Sequence, residues 1–129
     1  PHGIALDVEG RLAFVAGEAN GVLAVVDLET LRVIETHKVA EGPDVLAFDP
    51  GWRRLYVASE SGGVNVFTEA GPRNPAGKRL VRDGDISMPH AHTVAVDPRT
   101  HLVYFPLENI GGQAILRIMS SKAPTALPR

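Results

Sequence analysis

One short segment occurs three times in this chain, and that repetition limits what it can fold into. The copies are Pro1-His2-Gly3-Ile4-Ala5-Leu6-Asp7, Pro43-Asp44-Val45-Leu46-Ala47-Phe48-Asp49 and Pro89-His90-Ala91-His92-Thr93-Val94-Ala95-Val96-Asp97. The third is two residues longer after its proline, and the closing aspartates lie 42 and then 48 residues apart. The residues after each copy repeat as well. Counted from each aspartate, Phe14, Tyr56 and Tyr104 share an offset of seven, and Glu18, Glu60 and Glu108 share an offset of eleven. Self-similarity at a spacing of this kind marks an array of one supersecondary unit.

The unit reads as β. After each aspartate comes a strand carrying the shared aromatic: Leu12-Ala13-Phe14-Val15-Ala16, Leu55-Tyr56-Val57-Ala58 and Leu102-Val103-Tyr104-Phe105. A third strand comes next, at 22–26, 64–67 and 114–118. These runs are short, rich in β-branched residues and bounded by Gly, Pro, Asp and Asn. Asp49-Pro50-Gly51, Asp97-Pro98-Arg99-Thr100 and Asp27-Leu28-Glu29-Thr30 supply turn chemistry, because Asp bonds nearby backbone N–H groups and Pro fixes φ. Fourth, more polar strands are expected at Arg32–Val39 and around Lys78–Val81. Four strands in roughly 40–45 residues is the spacing of a β-propeller blade. The expectation is an all-β chain of about eleven strands, with no helix longer than two turns. Its blades lie at about 1–42, 43–88 and 89–119. The last lacks its outer strand, because the tail 120–129 carries two prolines and no alternation.

Tyr56-Val57-Ala58-Ser59 and Val25-Val26-Asp27-Leu28-Glu29-Thr30 carry a resemblance to the YVTN-type β-propeller repeat family. It covers essentially residues 1–119, and it departs from the pattern at Pro106-Leu107. The resemblance implies a full ring of about six to eight blades, of which these three form the C-terminal portion. It also implies a bacterial, often exported protein, in the periplasm or outside the cell. The segment at 1–7 already reads as a strand and no Met opens it, so the natural N-terminus is expected upstream.

Thirteen Lys and Arg against fifteen Asp and Glu leave no basic excess for nucleic acid. There is no cysteine, which removes disulfides, thiolate metal sites and thiol nucleophiles. No apolar run approaches the roughly twenty residues that span a bilayer.

Strand order locates a candidate site. If strands alternate in direction, loops before first strands and loops after second strands open on one face. The first kind carries His2, Asp44, His90 and His92; the second carries Glu18, Glu60 and Glu108. Imidazoles with carboxylates suit a polar ligand or a divalent metal. The His90-Ala91-His92 pair would point both rings one way on a strand, so His90, His92, Glu108 and His2 are the expected metal ligands. A binding or interaction scaffold using this loop face is the first functional expectation, with an unidentified protein or small molecule as partner. A metal-assisted, lactonase-like hydrolase or lyase is the alternative. His37 on an outer strand and His101 in a turn read as exposed. The core is expected from Ile4, Leu6, Phe14, Val25, Leu46, Phe48, Tyr56, Val66, Val94, Val96, Tyr104 and Ile115. The stretch 71–77 reads as a surface loop on the face opposite the site. An array of blades leaves its two outermost faces open, and further blades or a second chain are expected to cover them.

Overall fold

The computed structural model describes residues 1–123; most of the tail assigned above, 124–129, lies outside the described residues. Among the described residues regular structure is β apart from one 3-10 turn at Glu18–Asn20. The first sheet holds β1 (Ile4–Asp7), β2 (Leu12–Gly17), β3 (Val22–Asp27) and β4 (Arg32–Lys38) in sequential antiparallel order. The second holds β5 (Pro43–Asp49), β6 (Arg54–Ser59), β7 (Gly63–Glu69) and β8 (Leu80–Ser87) in the same order. The third has only β9 (Ala95–Val96), β10 (Leu102–Ile110) and β11 (Gln113–Ser120). These are three blade-like meanders, eleven strands among the described residues, and the last has no fourth strand there.

The sequence repeat is also a repeat of register. Phe14 sits opposite Val25, Tyr56 opposite Val66, and Tyr104 opposite Ile118. First strands adjoin, β1 beside β5 and β5 beside β9, so they form the inner edge of the array. Between the first and second sheets, Phe14, Leu23 and Val25 meet Leu46, Leu55 and Phe67 in one apolar cluster. Between the second and third, Tyr56, Val64 and Val66 meet Val94, Val103 and Phe105 in another. The middle sheet is therefore covered on both faces, and every residue of β6 is buried. Burying a side chain such as Phe14 contributes about 1.5–3 kcal/mol.

Two core expectations fail. Ile4 and Leu6 are 62% and 53% exposed. They occupy the positions of Leu46 and Phe48, whose side chains face the preceding sheet. Among the described residues no sheet lies on that side of β1. Phe48, Val96, Tyr104 and Ile115 are half-buried, and the other six expected core residues are buried.

The fourth strand of the second sheet starts at Leu80 and runs on to Ser87, beyond the stretch expected from sequence. Its continuation, Arg82-Asp83-Gly84-Asp85, is wet on its outer side, so it lacks the apolar alternation that marks a strand. The short β9 has a backbone cause. In the first sheet the Ala16 N–H donates to the Gly3 carbonyl at 2.9 Å. Pro106 holds the position equivalent to Ala16 and has no N–H to give, so the ladder stops short.

Candidate functional site

The starts of the three inner strands meet at one end of the sheets. Gly3 makes the approach possible: a Cβ there would sit 2.1 Å from the Asp44 carbonyl oxygen. Asp44, mostly buried, stands between two imidazoles. Its Oδ1 lies 3.0 Å from His2 Nδ1, and its Oδ2 lies 3.2 Å from His92 Nδ1. His2 Nδ1 is also 3.1 Å from Glu18 Oε2, at the end of β2. His2 and His92 ahead of the first and third inner strands, Asp44 at the start of the second, and Glu18 after a second strand thus join in a cluster drawn from three blades. A carboxylate that takes one imidazole on each oxygen orients both rings through Nδ1. Neither Nε2 has a protein partner among the described residues, and both histidines are roughly half exposed.

Three expected site residues do not join this cluster. Glu60, His90 and Glu108 are exposed, and their side chains form no hydrogen bond or ion pair among the described residues. The strand premise for His90 and His92 is corrected. The extra residues after Pro89 form a turn in which the Ala91 N–H donates to the Met88 carbonyl, and His90 takes a left-handed φ of 69°. The two rings therefore do not share a strand face. Among the described residues, no three His, Asp or Glu side chains converge as a group able to hold a metal ion.

The opposite end of the sheets is built for structure. Each first strand closes on an aspartate whose carboxylate caps the next turn: Asp7 accepts from Gly10 N, Asp49 from Gly51 N and Trp52 N, Asp97 from Arg99 N. Four residues after each aspartate comes Arg11, Arg53 or His101, all left-handed with φ of 53°, 55° and 61°. That conformation turns the side chain back toward the preceding blade. Arg53 reaches Asp7 through both terminal nitrogens, one at 2.8 Å, and also holds Glu69 at 2.6 Å. Burial pulls the Arg53 pKa down, but hydrogen bonds to Asp7 and Glu69 outweigh it, and the net direction is upward. His101 Nδ1 lies 2.6 Å from Asp49 Oδ2, and its ring stacks on Trp52 with centroids 4.0 Å apart.

Two expectations of exposure are corrected here. His101 is half-buried in this latch, and His37 is half-buried against Glu35 at 2.9 Å. The common offset from the aspartate was the signal that could have found the latch, but Arg and His at one repeat position do not look alike. The loop 71–77 comes after β7 at this same end, away from Asp44, and most of it is exposed. A separate cleft of about 570 Å³ lies between the second and third sheets. Tyr56, Val66, Phe105 and Met119 line it, and Arg54 Nη1 donates to the Lys122 carbonyl at its rim.

Sequential four-stranded meanders, packed face to face with their first strands adjoining, define β-propeller blades. Solved structures agree. The β-propeller domain of Cps50 (Swd1) from Myceliophteria thermophila matches with a TM-score of 0.68 at 17% identity, over 95% of this chain and 43% of that one. A proposed 6-phosphogluconolactonase from Bacteroides fragilis matches with a TM-score of 0.72 at 15% identity, over 92% and 34% of the two chains. A chain of the mitotic checkpoint complex matches with a TM-score of 0.71 at 10% identity, over 92% and 36%. This chain therefore spans well under half the length of each. No family model matches it, and no curated protein sequence matches it. The chain is three blades of a β-propeller.

Proposed function

We propose that the chain is a binding scaffold of YVTN-type propeller repeats, exported to the periplasm or cell exterior, with its ligand taken at the face where the inner strands begin. One observation carries this reading: Asp44 orients His2 and His92 from neighbouring blades and leaves both Nε2 atoms open to solvent. Such a group recognises a small polar molecule or a polar protein loop through directed hydrogen bonds. The likeness to a chain of the mitotic checkpoint complex, a protein assembly by its name, fits an interaction role. The export rests on the repeat resemblance.

A metal-assisted hydrolase or lyase is the second reading. It is favoured by the Asp44 bridge, since a carboxylate on one ring nitrogen is the usual support for a histidine that ligates through the other. His2 and His92 would supply the first two ligands, with His90 and Glu108 recruited on binding.

The test is a screen of small polar molecules read out by backbone amide shifts. A ligand of this face moves residues 2–3, 18, 41–44 and 90–93, and its affinity falls about tenfold in Asp44→Ala. Hits confined to the cleft between the second and third sheets would overturn the site. Zinc chloride titration separates the two readings. Stoichiometric zinc binding abolished in both His2→Ala and His92→Ala favours the metal-assisted one, and no zinc binding by the parent favours the scaffold.

A further inference from the structure

The cleft between the second and third sheets lies between neighbouring blades, and the inner-strand cluster does not use it. Its lining is chemically divided. Val66 from the second sheet and Phe105 and Met119 from the third supply apolar surface. Arg54 and Asp83, both from the second sheet, supply a cation and an anion side by side.

Arg54 leaves part of its bonding unused. Its side chain is nine-tenths buried. Nη1 donates to the Lys122 carbonyl at 2.7 Å, but Nε is buried and has no hydrogen-bond partner among the described residues. A buried donor without a partner is rare and points to a group the chain does not itself supply. Asp83 Oδ2 stands 3.4 Å from that Nε, an ion pair without a hydrogen bond, and accepts from Thr68 Oγ1 instead. The backbone explains how Asp83 comes to be there. Val66 pairs with Gly84 and Phe67 with Arg82, so Asp83 is an extra residue in β8. A bulge of this kind re-aims a side chain. Asp85 also lines the cleft but is already held by Asn65 and Arg82, which leaves Asp83 as the open carboxylate.

The first junction closes the same place. Leu12 and Glu35 hold the register positions of Arg54 and Gly84. Leu12 is buried in the core, and the buried Glu35 carboxylate accepts from the Arg79 and Leu80 N–H groups. At Gly84, by contrast, a Cβ would meet nothing within 4 Å.

We propose that this cleft binds a free α-amino acid with an apolar side chain. Arg54 takes its carboxylate, Asp83 takes its ammonium, and Val66, Phe105 and Met119 receive its side chain. An α-amino acid carries both charges on one carbon, so neighbouring charges on the ligand match neighbouring charges on the wall. A carboxylate alone would meet Asp83, and an amine alone would meet Arg54; only the zwitterion satisfies both. The cleft, about 570 Å³, is within the roughly 300–1,000 Å³ of small-molecule sites. This site is separate from the Asp44 face and does not rest on it.

The test follows backbone amide shifts during titration with L-phenylalanine. Residues 54, 66–68, 83–85 and 103–105 should move, with a Kd on the order of 1 mM. Phenethylamine and hydrocinnamate each lack one of the two charges and should bind at least about tenfold more weakly. Asp83→Asn, a change on an outer strand, should weaken phenylalanine binding by about the same factor. Gly84→Leu fills the cleft from a position with room for a side chain and should abolish binding, with circular dichroism confirming the fold. Three results would overturn the proposal: no shift around the cleft up to about 20 mM phenylalanine, binding to which Asp83→Asn and Gly84→Leu are both indifferent, or a one-charge analogue that binds as tightly as phenylalanine. Shifts confined to residues 2–3, 41–44 and 90–93 would also overturn it while supporting the inner-strand site, so the two sites can fail separately.

Discussion

The two internal junctions share a backbone and differ in chemistry. Between the first and second blades the latch is Arg53, fixed in charge and held between Asp7 and Glu69. Arg79 also reaches Glu69 there, at 2.9 Å. Between the second and third blades it is His101, one hydrogen bond to Asp49 and a stack on Trp52. The left-handed turn after each first strand aims whatever side chain it carries at the previous aspartate. The fold therefore specifies the direction of the contact, and the sequence at that position specifies its strength.

Removing Arg53 should give the largest effect. Arg53→Ala leaves Asp7 buried without its cation, and breaking such a pair from one side costs about 3–5 kcal/mol. Urea unfolding monitored by circular dichroism reads it. His101→Ala should cost less, about 1.5–2 kcal/mol, because Asp49 keeps its bonds from Gly51 N and Trp52 N. Equal losses in the two variants would show that the two latches contribute alike to their junctions. Replacing residues 73–77 with a two-residue turn should cost less than about 1 kcal/mol, although the loop sits beside the Arg53 latch. Its residues are mostly exposed, and surface changes rarely cost more. A loss above about 2 kcal/mol would show that the loop supports that junction.

The smallest effect concerns the unlatched carboxylate. Asp97 lies below its ordinary value of 3.8, chiefly because the Arg99 backbone N–H donates to it and then because Thr100 does. A depressed carboxylate stabilises the fold above its unfolded pKa, and that stability is lost as pH falls through the folded value. Asp97→Asn should therefore lower the urea midpoint slightly near pH 7 and flatten its decline below about pH 4, so that variant and parent converge in acid. An unaltered acid slope would count against the turn bond.

Much of this fold was legible because period-two strands, Asp-led turns and one aromatic offset repeat together. Phe14, Tyr56 and Tyr104 announced a shared register, and the structure places them opposite Val25, Val66 and Ile118. Ile4 and Leu6 were misread because sequence shows which residues suit a junction, not whether a partner sheet is present. The second half of β8 was hidden by Arg82, Asp83 and Asp85, polar residues that an outer strand tolerates. At the candidate site, strand order alone brought His2, Glu18, Asp44 and His92 to one end. It could not supply the turn at Pro89–His90, which separates His90 from His92, or the choice of Asp44 as the bridging carboxylate. The latch escaped notice because its repeat position holds Arg, Arg and His, whose chemistry differs although their offset from the aspartate and their left-handed backbone are shared.

Residues from three blades converge where the inner strands begin, with Asp44 holding His2 and His92. Long-range ¹⁵N–¹H correlation spectra of the histidine rings in the parent and in Asp44→Asn test this directly. The Nδ1 signals of His2 and His92 should both shift in the variant, while the ring signals of His37, held by Glu35 through Nε2, and of His101, held by Asp49 through Nδ1, stay in place. A shift confined to one of the two rings, or absent from both, would contradict it.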